Sequence, residues 1–177
     1  YMVGQGCDVS HFSDEDDCIE VPFEFKNIPS PVIGYVGSLT TLRLDIELLE
    51  YIANQRKNWS VVLVGPEDED FKKSNLHKLP NVYFLGRKDG SELPNYVKGF
   101  DVAMNPQLIN NLTIGNYPRK IDEYLAMGKP IIATKTKAME MFKDCVYLGS
   151  TKEEYVSLIE KALAENSKEL AEKRMNV

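Results

Sequence analysis

Residues 116–134, NYPRKIDEYLAMGKPIIAT, set Arg119 and Lys120 directly behind Pro118 and place an acid, Glu123, three positions past the lysine. A proline followed by charged residues and an apolar periodicity reads as a helix start near Pro118. Such a start points unpaired backbone N–H groups and a partial positive charge outward, and Arg119 and Lys120 add two full charges. Phosphate is the guest that suits this arrangement. Lys120 and Glu123 share one helix face, while Ile121 and Leu125 turn toward the sheet. Spacing leaves two readings of that pair. One is a surface i,i+3 ion pair worth ~0.2–0.5 kcal/mol. The other is an acid accepting hydrogen bonds from sugar hydroxyls beside a bound diphosphate.

The run ahead of this helix, NPQLINNLTIGNYP at 105–118, is long, polar and amide-rich, and long loops in compact domains are more often functional than idle. A second candidate is GYVGSLTTLR at 34–43. Gly34 and Gly37 permit close backbone approach, and Ser38, Thr40 and Thr41 offer hydroxyls. Its spacing matches neither G-x-G-x-x-G nor a P-loop, so a plain strand-to-helix turn explains it equally well. Two D-x-D tripeptides, Asp14-Glu15-Asp16 and Asp68-Glu69-Asp70, are possible metal ligands by type, but both sit among further acids and read as solvated charge runs. His11 and His77 have no acid or nucleophile at readable spacing, and no Ser-His-Asp or Cys-His arrangement is evident. Cys7, Cys18 and Cys145 are widely spaced without a C-x-x-C pair, which argues against a disulfide framework and a zinc site.

The elements that must position these residues alternate. Strand candidates are VIGYVG (32–37), VVLVG (61–65), VYFLG (82–86), DVAMN (101–105), IIAT (131–134) and VYLG (146–149), mostly unbroken apolar runs as expected for strands covered on both faces. Between them the spacing predicts helices over 42–56, with Leu42, Ile46, Leu49 and Ala53 on one stripe, over 90–100 and over 118–128, the last stopped by Gly128 and Pro130. The tail from Thr151 to about Met175 reads as helical, with Tyr155, Leu158, Ile159 and Leu163 at helical spacing. The βα rhythm predicts an α/β fold: a Rossmann-like, doubly wound parallel sheet of about six strands with helices on both faces. Residues 32–177 form that domain, and residues 1–31 read as a connector lying against it. A chain that opens on Tyr1 reads as a piece of something longer.

With 177 residues, 43% of them apolar, the chain is one domain with material for a sizeable core. A formal charge of −6 argues against nonspecific affinity for nucleic acid or anionic membrane, so any bound anion needs a built site. No run approaches the roughly 20 apolar residues of a membrane span and no signal peptide is recognisable, so the expected compartment is the cytoplasm.

Taken in order, several segments resemble the C-terminal half of GT-B glycosyltransferases of family 4. GCDVSHF (6–12) is similar to the G-x-D-x-x-x-F entry into that half, IGYVGSL to its first strand and glycine loop, and WSVVLVGP to its second strand. LPNVYFLGRKDGSELPNYVKGFDVAMNP resembles the stretch around the nucleotide base, and EYLAMGKPIIAT (123–134) the E-A-x-A-x-G-x-P-V-I-A pattern whose glutamate binds the ribose. P-x-K-x-x-E-Y-L-A-x-G-K-P is similar to a bacterial subgroup associated with cell-surface polysaccharide synthesis. The resemblance implies a donor site on Gly37, Ser38, Arg43, Gly86, Arg87, Pro118, Arg119, Lys120 and Glu123. Glu123 would hold the ribose, Gly86 and Arg87 would lie near the base, and Arg119 and Lys120 would stabilise the leaving diphosphate.

It further implies retaining transfer, without a bound metal or other cofactor, of a sugar from a nucleoside diphosphate sugar to a glycan or lipid-linked acceptor. The expected partners are a preceding N-terminal domain that holds the acceptor and, for the full-length enzyme, a peripheral membrane contact, but no nucleic acid. Further chain after Val177 is also expected. A non-catalytic nucleotide-sugar-binding or scaffold subunit of the same fold is the alternative. A nucleotide-sugar epimerase would need an acid and base pair that this half lacks. Three positions depart from the pattern. The first acid of E-x7-E is Gly115, the G-F-G stretch is Asn116-Tyr117-Pro118, and the arginine of the G-R-L turn is Ser38.

Overall fold

The computed structural model describes residues 11–12 and 19–176. Cys7, Cys18, the Asp14–Asp16 tripeptide and most of the GCDVSHF segment lie outside the described residues. The apolar runs form strands β1 (Val32–Val36), β2 (Ser60–Val64), β3 (Val82–Gly86), β4 (Val102–Asn105), β5 (Ile131–Thr134) and β6 (Tyr147–Gly149). They pair in parallel in the order β3-β2-β1-β4-β5-β6. Helices on both faces bury β1, β2, β4 and β5 at every residue, which is why these strands show no polar alternation. Strand order reverses between β1 and β4, the mark of the doubly wound, Rossmann-like sheet predicted from the sequence.

The helices are α1 (Ile46–Gln55), α2 (Leu93–Lys98), α3 (Lys120–Ala126), α4 (Lys152–Glu165) and α5 (Lys168–Met175). Strand side chains alternate between two cores. Ile33, Tyr35, Val61, Leu63, Val102 and Met104 pack with Leu48, Leu49 and Ile52 of α1 and Tyr155 and Ile159 of α4. Val36, Val62, Val64, Ala103, Ile131 and Ala133 pack on the other face with Tyr96 of α2 and Ile121, Tyr124 and Leu125 of α3. Residues 23–27 lie on this second face, where the Phe25 ring meets Tyr96 and Phe100.

Four helix expectations differ from the structure, and the one at 90–100 is a 3-10 turn at Gly90–Glu92 followed by α2, which ends at Lys98 with Gly99 as its cap. The first helix begins at Ile46, because the Asp45 carboxylate caps it by accepting the Leu48 N–H at 2.9 Å. Leu42 therefore precedes the helix and is 65% exposed, off the buried stripe. The helix expected at 118–128 is shorter, running over Lys120–Ala126. Gly128, with φ of +64°, closes it: its N–H bonds Leu125 O and the Lys129 N–H bonds Tyr124 O, a Schellman stop. The tail is two helices, divided where Ser167 caps α5 through the Leu170 N–H. Between β2 and β3 the crossover consists of two short 3-10 turns at Phe71–Lys73 and Asn75–Lys78.

Two buried tyrosines close the carboxyl edge of the sheet. Gly37 N–H bonds Val64 O on the β2 side, so by strand alternation the Val36 N–H faces β4. The Tyr124 hydroxyl of α3 accepts it at 2.9 Å. From the opposite face, the Tyr155 hydroxyl of α4 donates to Asn105 O at 3.0 Å and lies 3.0 Å from Thr134 Oγ1. Removing the Tyr124 hydroxyl leaves a buried N–H without a partner. Tyr124→Phe is therefore expected to lower unfolding stability by about 1–3 kcal/mol. Removing the exposed Tyr147 hydroxyl, which donates to Glu165, is expected to change it by less than about 0.5 kcal/mol. Urea unfolding with unchanged slope checks both.

Candidate functional site

The site is assembled from the loops that leave β1 and β4. After β1, Gly37 adopts φ of +144° and Gly65, after β2, φ of +151°. A Cβ on Gly65 would sit 1.9 Å from Gly37 O, so the two turns touch through backbone and exclude any side chain there. A Cβ on Gly37 would lie 2.8 Å from the Tyr35 hydroxyl and 3.2 Å from Lys120 Cε. Lys120 thus crosses the glycine turn, its ammonium 4.8 Å from the centre of the Tyr35 ring. Gly37 and Lys120, 83 residues apart, meet as one surface.

Asp68 fixes the turn from behind. Its carboxylate accepts the Thr41 N–H at 2.9 Å and the Phe71 N–H at 2.7 Å, and its own N–H bonds Leu39 O. Burial pushes this carboxyl up, but those hydrogen bonds outweigh it and hold it below the usual range. The second D-x-D tripeptide is accordingly not one solvated run. Asp68 is a loop anchor, while Glu69 and Asp70 pair with Lys72 and Lys73 on the surface. No group of three or more His, Cys, Asp or Glu among the described residues is placed to hold a metal ion. His77 has an acid after all: its Nε2 lies 2.7 Å from Glu67 and its ring stacks on Phe84 at 3.9 Å. That contact spans ten residues through two loops, beyond what spacing reveals.

The loop between β4 and α3 is internally bonded. Asn110 Oδ1 accepts the N–H groups of Leu112 and Thr113, and the Thr113 hydroxyl bonds Leu108 O. Gln107 Nε2 donates to Thr113 O at 2.7 Å, and Asn110 Nδ2 reaches Leu42 O at 2.8 Å. Leu108 N–H bonds Arg43 O at 2.8 Å, which ties this loop to the one after β1. Arg43 contributes its backbone to that seam, and its side chain is exposed. At Gly115 an added Cβ would meet nothing within 4 Å, so the position has room for a side chain.

The loop ends as Tyr117 donates to both Asp122 oxygens, at 2.8 and 2.9 Å. The first backbone bonds of the helical turn run from Ile121 N–H to Pro118 O and from Asp122 N–H to Arg119 O, so the N–H groups of Arg119 and Lys120 precede them. Pro118 is buried, Arg119 exposed and Lys120 half-buried. Lys120 and Glu123 form no ion pair, since the lysine is drawn to Tyr35 and Gly37. Glu123 is half-buried, and no described residue hydrogen-bonds or pairs with its carboxylate. Burial pushes its pKa up, against the opposing pull of Lys120 and Arg119. Ser38 is exposed beside Gly37. Gly86 and Arg87 are exposed at the end of β3, two strands from β1 and hence about 10 Å away across the sheet. His11 bonds Gly90 O, in the loop that follows them, at 3.0 Å.

A doubly wound sheet with its polar residues gathered beyond the carboxyl ends of β1, β3 and β4 has the Rossmann-like form that binds ligands at those ends. Residues 30–173 match the model of the family described as glycosyl transferases group 1, and the chain belongs to that family. It is 30% identical over 153 residues to TuaH of Bacillus subtilis strain 168, named a putative teichuronic acid biosynthesis glycosyltransferase. That match covers 82% of this chain and 38% of TuaH. Among solved structures, Anabaena HepE in complex with UDP and glucose superposes with a TM-score of 0.72 at 18% identity, over 96% of this chain and 51% of HepE. The sucrose-phosphate synthase of Thermosynechococcus elongatus gives 0.73 at 20% identity, over 97% of this chain and 45% of that protein. The chain thus spans about half the length of these relatives or less.

Glu123 carries a testable consequence. Its folded pKa is raised, so its charge opposes folding: the penalty is absent below the unfolded pKa and complete above the folded one. Stability contributed by this group falls as pH rises through that window. Glu123→Gln is expected to raise the melting temperature at pH 7, with the gain vanishing once both forms of the acid are protonated, below about pH 4. Thermal unfolding of both proteins across pH 3.5–8 measures it.

Proposed function

We propose that this chain is the donor-binding half of a retaining glycosyltransferase that takes its sugar from a nucleoside diphosphate sugar. One observation carries the reading: Lys120 lies across the Gly37 turn while Glu123, one turn further into α3, keeps a half-buried carboxylate with no partner among the described residues. A cation at a backbone-lined turn suits a diphosphate, and an unengaged carboxylate suits ribose hydroxyls. UDP and UDP-glucose in the HepE complexes support the ligand class.

In the proposed reaction the anomeric carbon exchanges its bond to a diphosphate oxygen for one to an acceptor hydroxyl oxygen, with its configuration kept and the hydroxyl proton passing to the departing diphosphate. Negative charge grows on the departing diphosphate. Lys120 and Arg119 offset it, already in place before the reaction and without a metal ion. Gly86 and Arg87 border the base, Ser38 and Pro118 flank the phosphates, and Arg43 stands at the rim. A preceding N-terminal domain supplies the glycan or lipid-linked acceptor in this reading, on the cytoplasmic side of a membrane that the enzyme touches peripherally. No helix among the described residues is long and apolar enough to cross one. The absence of an acid at Gly115 favours a second reading, a nucleotide-sugar binder without turnover.

In hydrogen exchange on the intact protein, a nucleoside diphosphate is expected to protect the amides of residues 116–123. A panel of nucleoside diphosphate sugars is expected to raise stability by about 2.7 kcal/mol for a ligand at 100 times its dissociation constant. Glu123→Ala should abolish both effects. A well-folded sample indifferent to every nucleotide would sink the proposal. Transfer of labelled sugar separates the enzyme from the mere binder.

A further inference from the structure

The sequence Val102-Ala103-Met104-Asn105 forms β4, and its last residue does not fit the strand. Val102 and Met104 belong to the core under α1 and α4, and Ala103 to the core under α3. Alternation puts the Asn105 side chain on the α3 face, level with Ala133 of β5. It is only 3% exposed, and its Nδ2 is buried with no hydrogen-bond partner. The backbone is well served: Asn105 O accepts both the Tyr155 hydroxyl and the Gln107 N–H. The unmet demand belongs to the side chain alone. An apolar residue would fill the place without it, so an orphaned amide in a strand otherwise wholly apolar calls for another partner.

Its position indicates which partner. β1 and β4 are paired at Ile33–Val102 and Gly34–Ala103, and beyond that point they split into separate loops that are bonded to each other through Leu108 N–H to Arg43 O and Asp45 N–H to Pro106 O. Asn105 ends β4 at this split, on the face that holds Val36, Tyr124 and the first turn of α3. Thr40 Oγ1, in the loop after β1, is another buried side-chain atom without a partner. Two of the three such atoms among the described residues thus lie on the two segments that bound the split, and the third, Ser74 Oγ, belongs to the β2–β3 crossover.

We propose that Asn105 is a donor-binding residue whose amide hydrogen-bonds an oxygen of the nucleoside diphosphate sugar, either on the diphosphate or on the sugar. The assignment rests on the donor-binding reading above. A carboxamide offers N–H donors and a C=O acceptor without charge, so it can serve a phosphate oxygen or a sugar hydroxyl. In this proposal a shift of the loop that follows Asn105 opens the amide to the ligand, as site hydrogen bonds commonly tighten on binding. The role resembles that of a polar group held ready at a cost to the free protein.

The test uses the intact protein with two ligand pairs, UDP with UDP-glucose and GDP with GDP-mannose, measured by calorimetry. Asn105→Leu and Asn105→Ala are compared with the wild type. The expected result is a dissociation constant raised about tenfold or more, with the melting temperature of at least one free variant equal to or above that of the wild type. Equal loss for the diphosphate and its sugar conjugate assigns the bond to the diphosphate, and loss for the conjugate alone assigns it to the sugar. Wild-type binding with unchanged affinity in both variants overturns this assignment while leaving the donor-binding reading intact. A fall in melting temperature for both variants also overturns it, because removing the amide would then cost the free protein stability rather than relieve it of an unmet hydrogen bond. Failure of the wild type to bind any of the four removes the underlying reading and this inference with it.

Discussion

Val36 N–H faces the one place in the sheet where a neighbouring strand leads away. Inside a parallel sheet each such amide is claimed by the next strand, and an amide buried without a partner is costly. Here the Tyr124 hydroxyl accepts it. That bond joins α3, which also packs through Ile121 and Leu125, to the end of the central strand, and α3 carries Lys120 and Glu123. The lysine then falls across Gly37, whose contact with Gly65 leaves no room for a side chain in between. The position of the candidate site therefore follows from how β1 is terminated. Tyr155 does the corresponding work on β4 from the other face, so the split is braced by two helices that never touch the same core.

Electrostatics follow from the same geometry. The chain is acidic overall at −6, yet the surface formed by Gly37 and α3 presents Arg119 and Lys120 together. Acids nearby are engaged elsewhere: Asp68 by the amides of two loops, Asp122 by Tyr117, and Glu67 by His77. Glu123 is the exception, and burial rather than a partner sets its pKa direction. Local charge is thus arranged by hydrogen bonding that occupies the acids, not by an excess of basic residues.

How much of this was legible in the sequence depends on range. The six strands were readable to within a residue or so because unbroken apolar runs can hardly sit elsewhere than in a sheet covered on both faces. Helix ends were not, because caps decide them. Asp45 three residues before Leu48 was a visible capping signal that outranked the apolar Leu42, and Ser167 was a similar one in the tail. The Lys120 and Glu123 spacing permitted an ion pair, and only the fold shows that a more distant ring and turn draw the lysine off. His77 with Glu67 and Lys120 with Gly37 meet through turns and loops whose paths are set by hydrogen bonds, and no periodicity encodes them. Asn105 did leave a trace, a lone amide closing an apolar strand.

Gly115 sharpens what the departures from the family pattern mean. The missing acid there is not excluded by crowding, since the position opens to free space. Nor is the surrounding loop without order: Asn110 and Thr113 knot it, Gln107 is tied to Thr113, and Leu108 is sewn to the loop after β1. These bonds satisfy the loop's own polar groups, which a folded loop requires whatever it binds. In the donor-binding reading proposed above, the sugar would be recognised without a carboxylate at that point. The neutral amide proposed above at the end of β4, Asn105, would then supply hydrogen bonding that position 115 does not.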